Sequence, residues 1–395
     1  MEATIYKVGD PAADYIQSAT IDILRFPLAI AVIFIHMNPH VDGIAESGFD
    51  IFSWLGLYNI LGVTFSHVLT HIAVPTFFLI SGYLFFRNFD LETWSWQLFG
   101  AKIRSRSKTL ILPYFSWNVT AFLLMVGYCF LYGMKTGSFE LLFDFTKDYN
   151  FNILYDCNRW GMDYRRDWMG NITYMTGPYD LPLWFLRDLI VVCLCSPVIY
   201  YGIKRMKIVF MLLLFFAYIS RIWVSVPGFR IDAFFFFSLG GFLSLNHINM
   251  VSLACRYRWF FVASSIPLLI VTVIYNGVMT PLGQNVYPFF IFATVFVVVS
   301  GVSALVEKYN LRPNKLLTGS CFFVYAFHAV PLPGFGSPLS FILEKVGILL
   351  CGDSGPMLSV TYMVTPFIAA GICVVIYMLM KRCFPFLSTI YTGSR

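Results

Sequence analysis

Charged residues are scarce in this 395-residue sequence, and their scarcity decides the class of protein. Only 12% of the residues are charged, whereas 58% are hydrophobic and 19% are aromatic. Soluble domains carry about 25% charged residues, so this composition excludes a soluble globular fold. The sequence instead predicts an all-α, polytopic integral membrane helical bundle. The net charge of +6 indicates no nucleic acid partner, because membrane proteins concentrate Lys and Arg on their cytoplasmic side.

Three further features are missing, and each absence excludes something. The first twenty residues have no basic start, apolar run or small-residue cleavage site, so we expect the first span to be retained in the mature protein. No G-x-S-x-G motif surrounds Ser81 and Gly82, which favours close helix packing over a nucleophilic serine. No pair of similar halves is present, which disfavours a secondary transporter.

Apolar runs long enough to cross a membrane recur along the chain. A hydrocarbon core of roughly 30 Å needs about 20 helical residues per crossing. Residues 51–65 are also apolar, and we interpret them as an interfacial helix, with an additional span as the alternative. We therefore predict about ten transmembrane helices. The approximate spans are 21–38, 66–86, 110–132, 181–201, 208–226, 231–246, 257–276, 286–306, 318–333 and 357–380.

Lys and Arg cluster in alternate loops, which predicts the orientation. Basic residues are frequent in the loop after the second span, whereas loops 38–65 and 277–285 contain none. By the positive-inside rule both termini are cytoplasmic, and the long loop 133–180 is extracytoplasmic. We expect a multi-pass protein of the plasma (inner) membrane. Its predicted parts are a cytoplasmic tail 1–20, a membrane domain 21–380 and a cytoplasmic tail 381–395.

The first span contains two groups that are unusual in hydrocarbon, Arg25 and His36. Their spacing corresponds to about three helical turns, which places both side chains on one face about 16 Å apart along the axis. A charge inside a span costs roughly 2.5–3.5 kcal/mol, and such groups normally face the bundle interior or a water-filled cavity. We interpret this face as a functional polar path. The alternative is a snorkelling arginine and a histidine in a helix contact.

Later spans carry further ionisable groups in their outer halves. Arg187, Arg221 and His328 join His36 in one predicted layer below the outer surface. Both arginines have a structural alternative, since Arg187 can pair with Asp188 and Arg221 can snorkel to the interface.

Two histidine pairs have a spacing that is able to hold a metal from one helix face. They are His36 with His40 and His67 with His71. No carboxylate or Cys completes either pair, and Pro39 is expected to end the helix before His40. We therefore expect no metal site.

Five segments, in order and covering almost the whole chain, resemble acyltransferase family 3. These integral membrane enzymes modify bacterial surface glycans and other acceptors with acetyl or similar groups. The segments are LRFPLAIAVIFIHM at 24–37, VPTFFLISGYLF at 74–85, the basic run ending in LPYFSW at 102–117, LPLWFLRDLIV at 181–191 and GSCFFVYAFHAV at 319–330.

The resemblance implies a ten-span bundle, an acyl-coenzyme A donor, and catalytic roles for Arg25 and His36. It implies donor binding by the basic run Lys102, Arg104, Arg106 and Lys108. The run departs from the family at Thr109, where such proteins usually carry a second arginine three residues after the first. The candidates to line the acceptor site are His328, Arg187, Arg221 and Trp184.

The implied reaction suits these residue types. Acyl transfer from a thioester to a hydroxyl needs a base, and an imidazole with a pKa of about 6.5 serves at neutral pH. We therefore predict an O-acyltransferase, with acetyl as the expected group, that moves an acyl group from acyl-coenzyme A to a surface or lipid-linked saccharide. His36 is the predicted base, and no cofactor is expected besides the donor substrate. A polysaccharide polymerase and a flippase or transporter of lipid-linked glycans are the alternatives, and the oligomeric state is left open.

Overall fold

The structure of the protein is a computed structural model, and helices dominate it. For the two short strands only the backbone is described. The described residues are 11–37, 52–92, 94–149, 151–157, 164–166, 172–174, 177–224, 226–275, 280–330 and 339–393.

The helices follow one another with short connections. In the first half they are α1 Pro11–Met37, α2 Trp54–Gly62, α3 Ala73–Phe86, α4 Trp96–Arg106, α5 Leu112–Thr136, α6 Glu140–Asp148, α7 Trp184–Leu194 and α8 Ser196–Met206. In the second half they are α9 Ile208–Ser220, α10 Ile231–Leu245, α11 Met250–Arg256, α12 Arg258–Ile274, α13 Pro281–Tyr309, α14 Lys315–Phe327, α15 Leu339–Cys351, α16 Gly355–Cys383 and α17 Pro385–Thr392.

Shorter elements complete the chain. Two antiparallel strands, β1 Tyr164–Arg166 and β2 Ile172–Tyr174, pair with Arg165 opposite Thr173 inside the predicted outer loop. The remaining elements are π-helical turns at Val63–Val68 and Ser107–Ile111 and 3-10 turns at Leu69–Ile72, Phe151–Leu154 and Leu181–Leu183.

The helices match the predicted membrane spans one for one. Within the described residues, five helical runs are long and apolar enough to cross a membrane. Two further candidates are pairs bent at a short break, α7 with α8 by 57° and α10 with α11 by 101°. The helices α9, α12 and α14 are apolar but shorter. Each predicted span falls on one of these elements, which confirms an all-α, multi-pass membrane fold.

Residues 51–65 do not form the separate interfacial helix of the prediction. Trp54–Phe86 is one helical run of 33 residues, because the π-helical and 3-10 turns join α2 to α3 without a gap. At 1.5 Å per residue the run is about 50 Å long, which exceeds the roughly 30 Å hydrocarbon core. The second span is therefore a long, irregular helix.

The first helix occupies the centre of the bundle. It packs against α3, α13, α14 and α16. Its buried face includes Leu24, Leu28 and Val32, which join the main apolar core. Because α1 touches so many neighbours, the groups that it carries are presented to the interior of the protein.

The outer end of α1 is fastened by the irregular turn of the second span. The last four carbonyls of a helix have no partner within it, and Phe34 carries one of them. The hydroxyl of Ser66, in the π-helical turn, donates to that carbonyl at 2.6 Å. The same hydroxyl lies 2.7 Å from the hydroxyl of Tyr362 on α16. These bonds fix the turn of α1 that contains His36.

Small residues bring α3 and α10 into close contact. A Cβ added to Gly82 would lie 2.0 Å from the carbonyl oxygen of Phe237, and one added to Gly240 would lie 2.1 Å from that of Leu79. The two backbones therefore touch, and only glycine fits at these positions. The predicted packing role of Gly82 is confirmed.

Candidate active site

The structure brings together two of the predicted site residues, His36 and His328. His36 lies in the last turn of α1 and is partly exposed, whereas His328 directly follows α14 and is 0% exposed. Their ring centroids are 5.3 Å apart with an interplanar angle of 50°. Residues 292 positions apart in the sequence thus form one histidine pair at the outer ends of two packed helices.

The hydrogen bond of His328 determines which of its nitrogens is available. Its Nδ1 lies 3.0 Å from the carbonyl oxygen of Val324. A carbonyl only accepts, so Nδ1 must donate, and the neutral ring then carries its lone pair on Nε2. Within the described part of the chain, Nε2 has no hydrogen-bond partner. The pair therefore contains a buried nitrogen that is able to accept a proton or a hydrogen bond.

Arg25 lies on the same helix, about 16 Å from His36 along the axis. Its guanidinium forms an ion pair with Asp22 at 2.9 Å, one turn earlier. The side chains are 31% and 34% exposed. The sequence prediction did not include this partner, which neutralises the charge at this end of the α1 face.

Arg187 adopts the structural alternative that was foreseen for it. Its Nε donates to a carboxylate oxygen of Asp188 at 3.0 Å, and another guanidinium nitrogen donates to the carbonyl of Tyr155 at 2.7 Å. The side chains of Arg187 and Asp188 are 6% and 0% exposed. Arg187 is thus half of a buried ion pair at the start of α7.

Trp184 adjoins a second pair that sequence reasoning missed. The guanidinium of Arg230 lies 4.0 Å from the Trp184 ring centroid and donates to Asp232 at 2.8 Å. These contacts join the start of α7 to the start of α10. The available signal was a pair of opposite charges, Arg230 and Asp232, at the beginning of an apolar helix.

Arg221 lies in a different place from the histidine pair. It ends α9 in a left-handed conformation with φ of 61°. Its guanidinium donates to the side-chain oxygens of Gln284 and Asn285, at 2.9 and 2.5 Å, in the first turn of α13. This contact joins α9 to α13 rather than α1 to α14, so the predicted single layer is divided.

The basic run at the end of α4 has two faces. Arg106 is partly buried, and its guanidinium lies 5.9 Å from the ring centroid of Phe85 on α3. Lys102, one turn earlier, is partly buried as well and lies within electrostatic reach of Arg106. Arg104 and Lys108 are exposed. Lys102 and Arg106 therefore form an inward pair, and Arg104 and Lys108 an outward pair.

The proposed histidine spacing for a metal is altered by the local backbone. His67 lies in the π-helical turn and His71 in the 3-10 turn that follows, where the His71 Nε2 lies 3.0 Å from the carbonyl of Ser66. His40 lies outside the described residues. Among those that are described, no group of three or more His, Cys, Asp and Glu side chains is placed to hold a metal.

An apolar cavity of about 360 Å³ lies beside the helix that leads to His328. Phe323 and Phe327 of α14 line it together with Trp117 of α5 and Met380 of α16. Its lining is almost entirely apolar, so it suits hydrocarbon rather than a charged donor.

These features define a class: a multi-pass helical membrane protein with a histidine pair at the outer end of its central helix. A family described as an acyltransferase domain matches residues 18–381. The chain therefore belongs to acyltransferase family 3, and the protein is a membrane acyltransferase.

One curated relative supports the same assignment. The chain is 25% identical over 406 residues to the succinoglycan biosynthesis protein ExoH of Rhizobium meliloti. The similarity covers 96% of this chain and 92% of that protein. No solved structure matches the chain.

Proposed function

We propose that the protein transfers an acyl group, with acetyl as the expected group, from acyl-coenzyme A to a hydroxyl of a surface or lipid-linked saccharide. His36 is the general base in this proposal. The observation that carries it is the contact between His36 and the buried His328 at the end of the central helix. The participation of the related ExoH protein in succinoglycan biosynthesis supports a polysaccharide acceptor.

The chemistry requires one proton acceptor near the acceptor hydroxyl. His36 takes the hydroxyl proton while the oxygen attacks the thioester carbonyl, and the carbon–sulfur bond then breaks. The thiolate of coenzyme A receives the proton, so the imidazole returns to its neutral form. A base of this kind contributes typically 10²–10⁴-fold to the rate.

His328 is suited to assist this base. Because its Nδ1 is held by the carbonyl of Val324, its Nε2 has a fixed protonation state and direction. It is able to orient His36 or to accept a hydrogen bond from the acceptor. Trp184, Arg187 and Arg221 stay candidates for lining the acceptor side, and we give none of them a step in proton transfer.

The donor belongs at the opposite, cytoplasmic end in the predicted orientation. Coenzyme A carries phosphate groups, which pair with cations, and the inward pair Lys102 and Arg106 offers two of them. The outward pair Arg104 and Lys108 adds positive potential at the same end. Arg25 extends the cationic path along α1, with Asp22 balancing its charge.

The experiment that tests this function compares surface polysaccharide from cells with and without the gene. We expect deletion to remove an ester-linked acyl group and to leave polymer length unchanged, as read by nuclear magnetic resonance and size-exclusion chromatography. Complementation with the wild-type gene should restore the ester. Loss of polymer length or of export with the ester retained would contradict the proposal and favour a polymerase or a flippase.

A further inference from the structure

A buried carboxyl group without a partner lies directly before α7. Asp180 is 0% exposed, and within the described residues neither of its carboxyl oxygens has a hydrogen-bond partner. Its backbone is nevertheless held, because its N–H donates to the side-chain oxygen of Asn118 at 2.9 Å. The protein thus fixes the position of Asp180 and leaves its acceptor atoms unused.

The acids closest to this site are treated differently. Asp188 and Asp232 each bond to an arginine. The nearest tyrosine hydroxyls are also occupied, since Tyr114 donates to the carbonyl of Leu154 and Tyr325 to the carbonyl of Pro182. Buried polar groups in proteins are normally paired, so an unpaired carboxyl among paired neighbours points to a ligand.

Asp180 is linked to the histidine pair by a short series of contacts. Tyr325 is three residues before His328, so both side chains lie on one side of α14. The Tyr325 hydroxyl bonds to Pro182, two residues after Asp180, and lies within electrostatic reach of the Asp180 carboxyl. The unpaired carboxyl is therefore close to the candidate active site.

The chemistry of a carboxyl group indicates what it would bind. Its oxygens accept hydrogen bonds, and saccharide hydroxyls donate them. Burial raises the pKa of Asp180 well above its usual range, and the neutral form both accepts and donates, as a hydroxyl does. The described residues supply no cluster of ligands around it that would favour a metal.

We propose that the Asp180 carboxyl binds saccharide hydroxyls of the acceptor adjacent to the one that is acylated. This inference rests on the proposed function and assigns a recognition residue to it. Asp180 positions the acceptor and takes no part in proton transfer, so its loss should act on acceptor affinity.

The test uses the full-length protein purified into phospholipid nanodiscs. Radiolabelled acetyl-coenzyme A is the donor, and oligosaccharides released from the surface polysaccharide of a deletion strain are the acceptor probe. We expect Asp180→Leu to raise the KM for the oligosaccharide at least tenfold. The kcat should stay within about twofold, and the KM for acetyl-coenzyme A should not change.

A stability measurement separates recognition from a structural role. Leucine resembles aspartate in shape but needs no partner, so Asp180→Leu should keep or raise the melting temperature. Asp180→Ala removes the same oxygens without adding bulk and should give the same rise in KM. Ser196→Ala is the matched control, because that serine is also fully buried and its hydroxyl has no partner among the described residues. It should leave both KM values unchanged.

The outcomes distinguish this inference from the function on which it rests. If the wild-type protein transfers no label, the proposed function fails. If it transfers label and both Asp180 variants keep the wild-type KM for the oligosaccharide, the inference alone is overturned. Loss of the folded protein in both variants would make Asp180 a structural residue and would overturn it as well.

Discussion

The histidine pair of α1 and α14 and the arginine–aspartate pairs of α7 and α10 are both polar groups among apolar helices, but they handle charge differently. Arg187 is balanced by Asp188 at 3.0 Å, and Arg230 by Asp232 at 2.8 Å. His328, by contrast, has a buried nitrogen whose nearest described ionisable neighbour is another imidazole, that of His36.

This difference separates holding from reacting. A buried ion pair is costly to disturb, because removing one partner leaves the other charge without compensation. An imidazole gains and loses a proton near neutral pH with a small change in free energy. The paired arginines are therefore suited to fixing the starts of α7 and α10, and the histidines to moving a proton.

The largest effect is expected when a buried pair is broken. Asp188→Ala leaves the guanidinium of Arg187 buried beside a lost partner, and we expect destabilisation of about 3–5 kcal/mol. Thermal unfolding of the purified protein and its level in membranes measure this effect.

A matched control exists on α1. Asp22→Ala removes the partner of Arg25 in a pair about one third exposed, where a loss of at most about 1 kcal/mol is expected. Equal losses of stability in the two variants would remove the distinction between buried and exposed pairs.

A smaller effect is expected from the basic run. Lys102→Ala/Arg106→Ala should raise the KM for acyl-coenzyme A by about tenfold, because one charge-assisted bond is worth roughly 1.5–3 kcal/mol and part of it is replaced by solvent. Arg104→Ala/Lys108→Ala is the matched double variant with the same change in charge. Its side chains are exposed, so a rise of about twofold that disappears at high salt is expected. A stronger effect from the outward pair would reverse the assignment of the two faces.

Much of the fold was predictable because the bilayer imposes simple rules. Apolar runs located every membrane helix or bent pair, and the spacing of Arg25 and His36 along one helix followed from helical geometry alone. The break predicted near residue 65 was wrong, since π-helical and 3-10 turns continue a helix without any glycine or proline signal.

The site was predictable only in part. His36 and His328 were both named from their own spans, but their contact is tertiary and is set by how α14 packs on α1. Arg221 was placed by depth, which carries no information about direction around the bundle. Asp180 gave no signal because only the folded chain shows which buried groups have partners.

The most direct test of the central claim is the transfer rate of His36→Gln in the purified protein. Glutamine keeps hydrogen bonding and approximate size but does not take up a proton near neutral pH, so kcat should fall by about 10²–10⁴-fold. Melting temperature and the KM for acyl-coenzyme A should stay at wild-type values. A His36→Gln protein that retained most of the wild-type kcat would contradict the account and would transfer the role of base to His328.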